Sequence, residues 1–166
     1  MFERLNTPEE AYEYKLGATL KMEQTVLEML EENLEHAHDE RLQSALRHHL
    51  EESKRHVENV EQAFGHFEWA ADTSPCPAIE GLQKEGKANV KKADESLVDS
   101  VILAGVIETE HHEIGVYEGL IIEASGMGRE DVADLLRKNL DQEEQALEKA
   151  KGLLAELKGA RTTQRV

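Results

Sequence analysis

The sequence has one cysteine, Cys76, three prolines, few aromatic residues and little positive charge. A single cysteine excludes an internal disulfide framework. It equally excludes a multi-cysteine metal site within one chain, such as a four-cysteine rubredoxin-like iron centre. Aromatics make up only 4 % of the chain while Glu, Leu, Ala and Lys dominate, which is the composition of long helices rather than of a sheet. Nineteen Lys and Arg stand against 35 Asp and Glu, for a formal net charge of −16. No basic stripe offsets the acids, so neither nucleic acid nor an anionic membrane is expected as a partner, and cations are the suited guests. No apolar run approaches membrane-spanning length, and the opening MFERLNTPEE lacks the apolar core of a signal peptide. Both absences predict a soluble, cytoplasmic protein with no membrane partner.

At 166 residues the chain is long enough to bury one continuous core, and 1–166 reads as a single domain. Thr7 is a suitable N-cap, with Pro8 at the first helical position and Glu9 and Glu10 in the first turn, opening a helix from Pro8 to Glu35. Asp39 caps the next, whose apolar series is Leu42, Leu46, Leu50, Val57, Val60, Phe64 and Phe67. The short link makes the two antiparallel neighbours. The stretch from Ala71 to Ser96 then breaks the pattern with two prolines and permits a short helix over Ala78 to Gly86. A third long helix is expected from Glu95 to Ala124, ended by SGMG, and a fourth from Arg129 to Leu157, followed by a frayed tail. Two helical hairpins joined by a long crossover predict an all-α, ferritin-like four-helix bundle; the alternative is an open array packing with another chain.

Which polar residues point inward follows from about 100° of rotation per residue. Glu23 falls at the centre of the stripe made by Leu16, Leu20, Leu27, Leu30 and Leu34, and Glu143 at the centre of Leu136, Leu140, Leu147 and Leu154, whereas Glu144 points away. In ETEHHEIGVYEGL, Glu110 and Glu113 straddle the apolar stripe with Tyr117, while Glu108 and His111 project from the other side. On the second helix Ser53 is central, His49 and His56 flank it, and Glu52 sits at the edge. Glu23, Glu52, Glu110 and Glu143 all lie near the middle of their helices, so antiparallel packing brings them to one level. Unpartnered carboxylates there would cost several kcal/mol each, an arrangement a divalent pair neutralises. His36, His38, His48, His66, His111 and His112 read as surface or helix-end histidines, and His49 and His56 are left open between ligand and bystander. Tyr117 reads more readily as a core tyrosine than as a partner of a ligand.

The segments KMEQTVLEML, HLEESKRHVENVEQAF, CPAIEGLQKEG, EHHEIGVYEGL and LLRKNLDQEEQA together resemble the ferritin-like family typified by the stress-associated bacterial YciF proteins, over nearly the whole chain. The resemblance implies a carboxylate site for two Fe or Mn ions per chain, with Glu23, Glu52, Glu110 and Glu143 as ligands and Glu113 and His56 as further candidates. It implies Fe(II) oxidation or peroxide reduction in stress defence. Nothing obvious after the fourth helix supplies a fifth, so a homodimer is expected rather than a hollow storage cage. The sequence departs from the usual Glu-x-x-His pairs: three residues after Glu52 stands Arg55, and three after Glu143 stands Ala146. Glu110 and Glu113 form instead an acidic pair like that of rubrerythrin-type sites. A histidine-poor shell favours iron or manganese over copper or zinc. The rival expectation is a non-catalytic bundle serving as a structural or partner-binding module. An oxygen-binding hemerythrin-like site is excluded because no two histidines lie four apart and about five inward ones are needed.

Overall fold

The computed structural model describes residues 4–163. Its elements are α1 (Pro8–His36), α2 (Glu40–His66), α3 (Pro77–Lys92), a 3-10 turn (Glu95–Leu97), α4 (Val98–Gly126) and α5 (Glu130–Thr163), with no strand among the described residues. The helix starts use the expected caps: Thr7 Oγ1 accepts from Glu10 N at 3.1 Å and Asp39 Oδ1 from Arg41 N at 2.8 Å. Two helices end on a left-handed residue. Gly128, at φ 72°, closes α4 with Arg129 N donating to Ala124 O, and Glu68, at φ 60°, closes α2 with Trp69 N donating to Phe64 O. Each satisfies carbonyls that a helix end leaves open.

The pairs α1/α2 and α4/α5 form two antiparallel hairpins, and the crossover that carries α3 runs the length of the bundle, as in ferritin-like folds. Contacts at both ends fix this topology. At one end Asp99, in the first turn of α4, accepts from the backbone N–H groups of His38 and Asp39 at 2.8 and 3.1 Å. At the other, Arg129 donates to His66 O at 2.6 Å and lies 4.2 Å over the Phe67 ring, which stacks on Trp69 and meets Tyr12. The crossover grazes α1 at Gly17, where a Cβ would meet Ser74 Oγ at 2.7 Å and Asp72 O at 2.8 Å. No larger residue fits there.

Three element boundaries differ from the sequence reading. The crossover helix is 16 residues long and reaches Lys92, because QKEGKANVKK holds no breaker stronger than one glycine. Glu95–Leu97 forms a 3-10 turn before α4 rather than the helix itself. α5 continues as helix to Thr163 through the stretch expected to fray; the last three residues of that tail lie outside the described part. α4 buries a broad face, since α3 covers a flank that a plain four-helix bundle would leave to solvent, and Glu108, His111 and Glu118 lie on its exposed side. No described helix is long and apolar enough to cross a membrane.

Candidate metal centre

Four helices each turn polar side chains into the middle of the core. Glu23 comes from α1, His49, Glu52 and His56 from α2, Glu110 and Glu113 from α4, and Glu143 from α5, and none is more than 7 % exposed. Seven residues separate His49 from His56, two helical turns, so both imidazoles lie on one face of α2.

Their ligating atoms converge in two groups. His49, Glu110, Glu113 and Glu143 each place one atom within 4.8 Å of the others, and so do Glu23, His56 and Glu143. Glu143 belongs to both. Its Oε1 lies 2.8 Å from His56 Nδ1 and its Oε2 3.7 Å from His49 Nε2, which is itself 3.1 Å from Glu110 Oε1. These contacts are short but poorly aligned. Neither nitrogen of His49, nor His56 Nδ1, nor any oxygen of Glu113 or Glu143 makes a hydrogen bond, and Glu23 Oε2 and Glu110 Oε2 have none either. Buried polar atoms are nearly always hydrogen-bonded, so this many at one level without an aligned partner is the arrangement expected around a shared binding point.

A second layer of polar residues orients the first. Gln142 Oε1 lies 2.8 Å from His56 Nε2 and can only accept, which puts the proton on Nε2 and leaves Nδ1 facing Glu23 and Glu143. The Tyr117 hydroxyl donates to Glu23 Oε1, Asn139 Nδ2 donates to that hydroxyl at 2.9 Å, and Asn59 Nδ2 donates to Asn139 Oδ1 at 2.6 Å. Tyr117 is thus a fully buried core residue that also grips a carboxylate.

The buried carboxylates and imidazoles perturb one another's protonation. Burial, opposed by His56 and reinforced by Glu143, pushes Glu23 up to about 7. Burial followed by repulsion from Glu143, Glu23 and Glu110 drives Glu113 well above the carboxylate range, and Glu143 also rises, chiefly through burial. Burial pulls the imidazoles down, but the carboxylates outweigh it. Glu143 and Glu23 lift His56 to about 9, and Glu110 leads the rise of His49 well above its usual value.

The structure brings Glu23, His56, Glu110, Glu113 and Glu143 together, joined by His49, which the sequence left open. It does not bring Glu52 into either group. Glu52 sits behind His49, its Oε2 3.9 Å from Nδ1, while its Oε1 contacts the exposed His48 at 3.2 Å, and the His49 ring holds its carboxyl below the usual range. The reason is phase: Glu52 lies at the edge of the α2 stripe and His49 nearer its centre. Glu108, His111 and Glu144 are exposed, as read from the sequence, and His112 is half-buried rather than fully at the surface. Gln142, Asn139 and Asn59 were missed; the available signal was Asn139 itself, one turn before Glu143 on the inward stripe.

A family model described as a domain of unknown function, DUF892, matches residues 7–163. The chain belongs to the DUF892 family. Protein YciF of Escherichia coli strain K12 is 26 % identical over 141 residues, covering 84 % of this chain and 85 % of that one. The crystal structure of YciF, named there an E. coli stress protein, superposes with a TM-score of 0.88 at 25 % identity, over 93 % of this chain and 99 % of that one. YcfI of Rhodopseudomonas palustris, for which a structural role is suggested, matches with a TM-score of 0.87 at 30 % identity, over 91 % and 97 %. The resemblance read from the sequence is therefore shown for both family and fold.

Proposed function

We propose that this DUF892 member is a carboxylate-bridged di-metal protein that holds two ions of iron or manganese and uses them to oxidise Fe(II) or reduce peroxide in stress defence. The observation that carries the reading is Glu143, shared between two convergent groups, with one oxygen beside His56 and the other toward His49 and neither in an aligned hydrogen bond, as a bridging ligand would be. One ion fits His49 Nε2, Glu110, Glu113 and Glu143; the other fits Glu23, His56 Nδ1 and Glu143. Four carboxylates against two imidazoles suit hard divalent iron or manganese. Iron held there would supply one-electron chemistry toward dioxygen or peroxide.

The chain's own residues set the terms. Gln142 fixes the His56 tautomer, Tyr117 and Asn139 aim Glu23, and Glu52 stands 3.9 Å behind His49 Nδ1. Protons on His49, His56 and Glu113 leave as cations arrive, so binding strengthens as pH rises. Homodimerisation and a cytoplasmic setting belong to the same reading, and the exposed Ile122 on α4 offers an apolar contact to a second copy. Light scattering giving twice the chain mass is the expected result.

A second reading, a structural module, draws on the role suggested for the Rhodopseudomonas relative and on the imidazole–carboxylate contacts, which offset part of the buried charge without metal. Anaerobic titration with Fe(II) separates the two. Uptake of about two equivalents, followed by Fe(III) absorbance on adding peroxide or dioxygen, supports the di-metal reading. A chain that takes up no iron supports the structural one.

A further inference from the structure

The two groups of converging ligands are unequal. One draws on four residues, His49, Glu110, Glu113 and Glu143, and the other on three, Glu23, His56 and Glu143. An octahedral ion in the second group therefore keeps more of its positions for ligands from outside the chain. The place of the absent carboxylate lies on α2. Ferritin-like sites take a Glu-x-x-His pair from a helix of this kind, and three residues before His56, where that glutamate would stand, the chain has Ser53. A serine side chain is too short to reach the ion as glutamate would, so it opens a position rather than filling one.

Ser53 is buried at the level of the metal centre. It is 0 % exposed and lies between His49 and His56 on the inward face of α2, about one turn from each. Glu23 and Ser53 are equally distant in sequence from His38, in the link of the antiparallel α1/α2 hairpin, which brings the two to one height in the bundle. The Ser53 hydroxyl has no hydrogen-bond partner. A buried hydroxyl on a helix can satisfy itself by donating to the carbonyl four residues back. Thr19, Thr25 and Thr109 do so, to Lys15 O at 2.9 Å, Lys21 O at 2.8 Å and Gly105 O at 3.0 Å. Ser53 forgoes that bond. A buried donor left in this way costs stability unless a ligand accepts from it.

We propose, resting on the di-metal reading and deepening it, that the ion held by Glu23, His56 and Glu143 is the one that takes the substrate, a peroxide or an anion of similar size, and that the Ser53 hydroxyl donates a hydrogen bond to that substrate. Tyr117 already holds Glu23 Oε1, which leaves Oε2 for the ion and the α2 side of the site for the incoming molecule. A neutral hydroxyl suits this task. It donates to an anion without adding a charge of its own, and in a buried site no bulk water competes for the bond.

Azide, a small anion whose binding to Fe(III) gives a charge-transfer absorption, is the probe. Wild type, Ser53→Ala, Ser53→Thr and Ser53→Glu are loaded with Fe(II) under anaerobic conditions, oxidised, and titrated with sodium azide. Each should hold about two irons per chain. Ser53→Ala should raise the azide Kd about 10-fold, the loss expected for a hydrogen bond to a charged group, and Ser53→Thr, which keeps the hydroxyl, should bind azide nearly as wild type does. Ser53→Glu completes the Glu-x-x-His pair and should abolish saturable azide binding. In chelated protein Ser53→Ala should melt no lower than wild type, because the hydroxyl it removes has no partner to lose. Wild-type azide affinity in Ser53→Ala or Ser53→Glu, with two irons bound and an unchanged circular dichroism spectrum, overturns the proposal and leaves the di-metal reading standing. Absence of azide binding to iron-loaded wild type does the same, as does a lower melt of chelated Ser53→Ala, which would mean that the hydroxyl is bonded within the fold. Failure of the wild type to take up iron overturns both, so the two failures are distinguishable.

Discussion

Glu113→Gln should move the stability of the metal-free and the metal-loaded protein in opposite directions. Glu113 is fully buried, neither oxygen has a hydrogen-bond partner, and burial plus three neighbouring carboxylates raise its pKa well above 4.5. At pH 7 the unfolded chain carries this group ionised, whereas folding without metal draws it toward the protonated form. Uptake of a proton by a group whose unfolded pKa is 4.5 costs at most about 3 kcal/mol at pH 7, from the standard 1.36 kcal/mol per pH unit. Glutamine removes that cost but brings a buried amide of its own, which takes back about 1 kcal/mol. The net gain, up to about 2 kcal/mol, should raise the melting temperature of chelated protein by as much as roughly 5 °C for a domain of this size. With metal present the same substitution deletes a ligand and should weaken binding about 10-fold or more. Differential scanning calorimetry at pH 7, with chelator and with manganese, reads both. A variant less stable than wild type in chelator, with circular dichroism showing an intact fold, would refute the claim that Glu113 is an uncompensated buried acid.

Acidification gives a related contrast. Glu23 and Glu113 have raised folded pKa values, so folding binds extra protons and their destabilisation disappears as pH falls through the folded pKa toward 4.5; His49 and His56, also raised, contribute stability present below 6.5 and lost as pH rises through their folded pKa values, about 9 for His56. Chelated protein should therefore melt higher at pH 5.5 than at pH 8, and metal-loaded protein should show the reverse order. Glu143→Gln should weaken metal binding about 10-fold or more while Glu144→Gln, on the exposed side of α5, changes little; equal effects in parallel titrations would contradict the shared role of Glu143. Gln142→Leu frees His56 to take either tautomer and should also cost roughly 10-fold in affinity, with Gln142→Glu restoring it; unchanged affinity in Gln142→Leu would remove Gln142 from the ring-orienting layer.

The inward carboxylates were legible because a long helix in a bundle has one phase, and Glu23, Glu110, Glu113 and Glu143 interrupt stripes that are otherwise leucine, valine and isoleucine. α2 was less legible. Its stripe includes polar residues at 49, 52, 53 and 56, so its centre is poorly defined by hydrophobicity, and a small error in angle exchanges Glu52 for His49. The layer of Gln142, Asn139 and Asn59 escaped because an amide carries no charge to mark it, and its function lies in cross-helix pairs that periodicity within one helix does not report. Tyr117 illustrates the same limit: phase placed it in the core, but only the packing of α4 against α1 shows that its hydroxyl meets Glu23. The length of α3 was hidden for a different reason, since a helix covering the outside of a bundle needs only a narrow apolar edge and reads from sequence like a loop.

The central claim is that Glu143 bridges two ions. Crystals soaked with Mn(II) and measured at wavelengths on either side of the manganese edge test it most directly. The account predicts two anomalous peaks per chain, one between His49, Glu110, Glu113 and Glu143 and the other between Glu23, His56 and Glu143. A single peak that does not touch Glu143, or no peak in crystals soaked at saturating manganese, would contradict it.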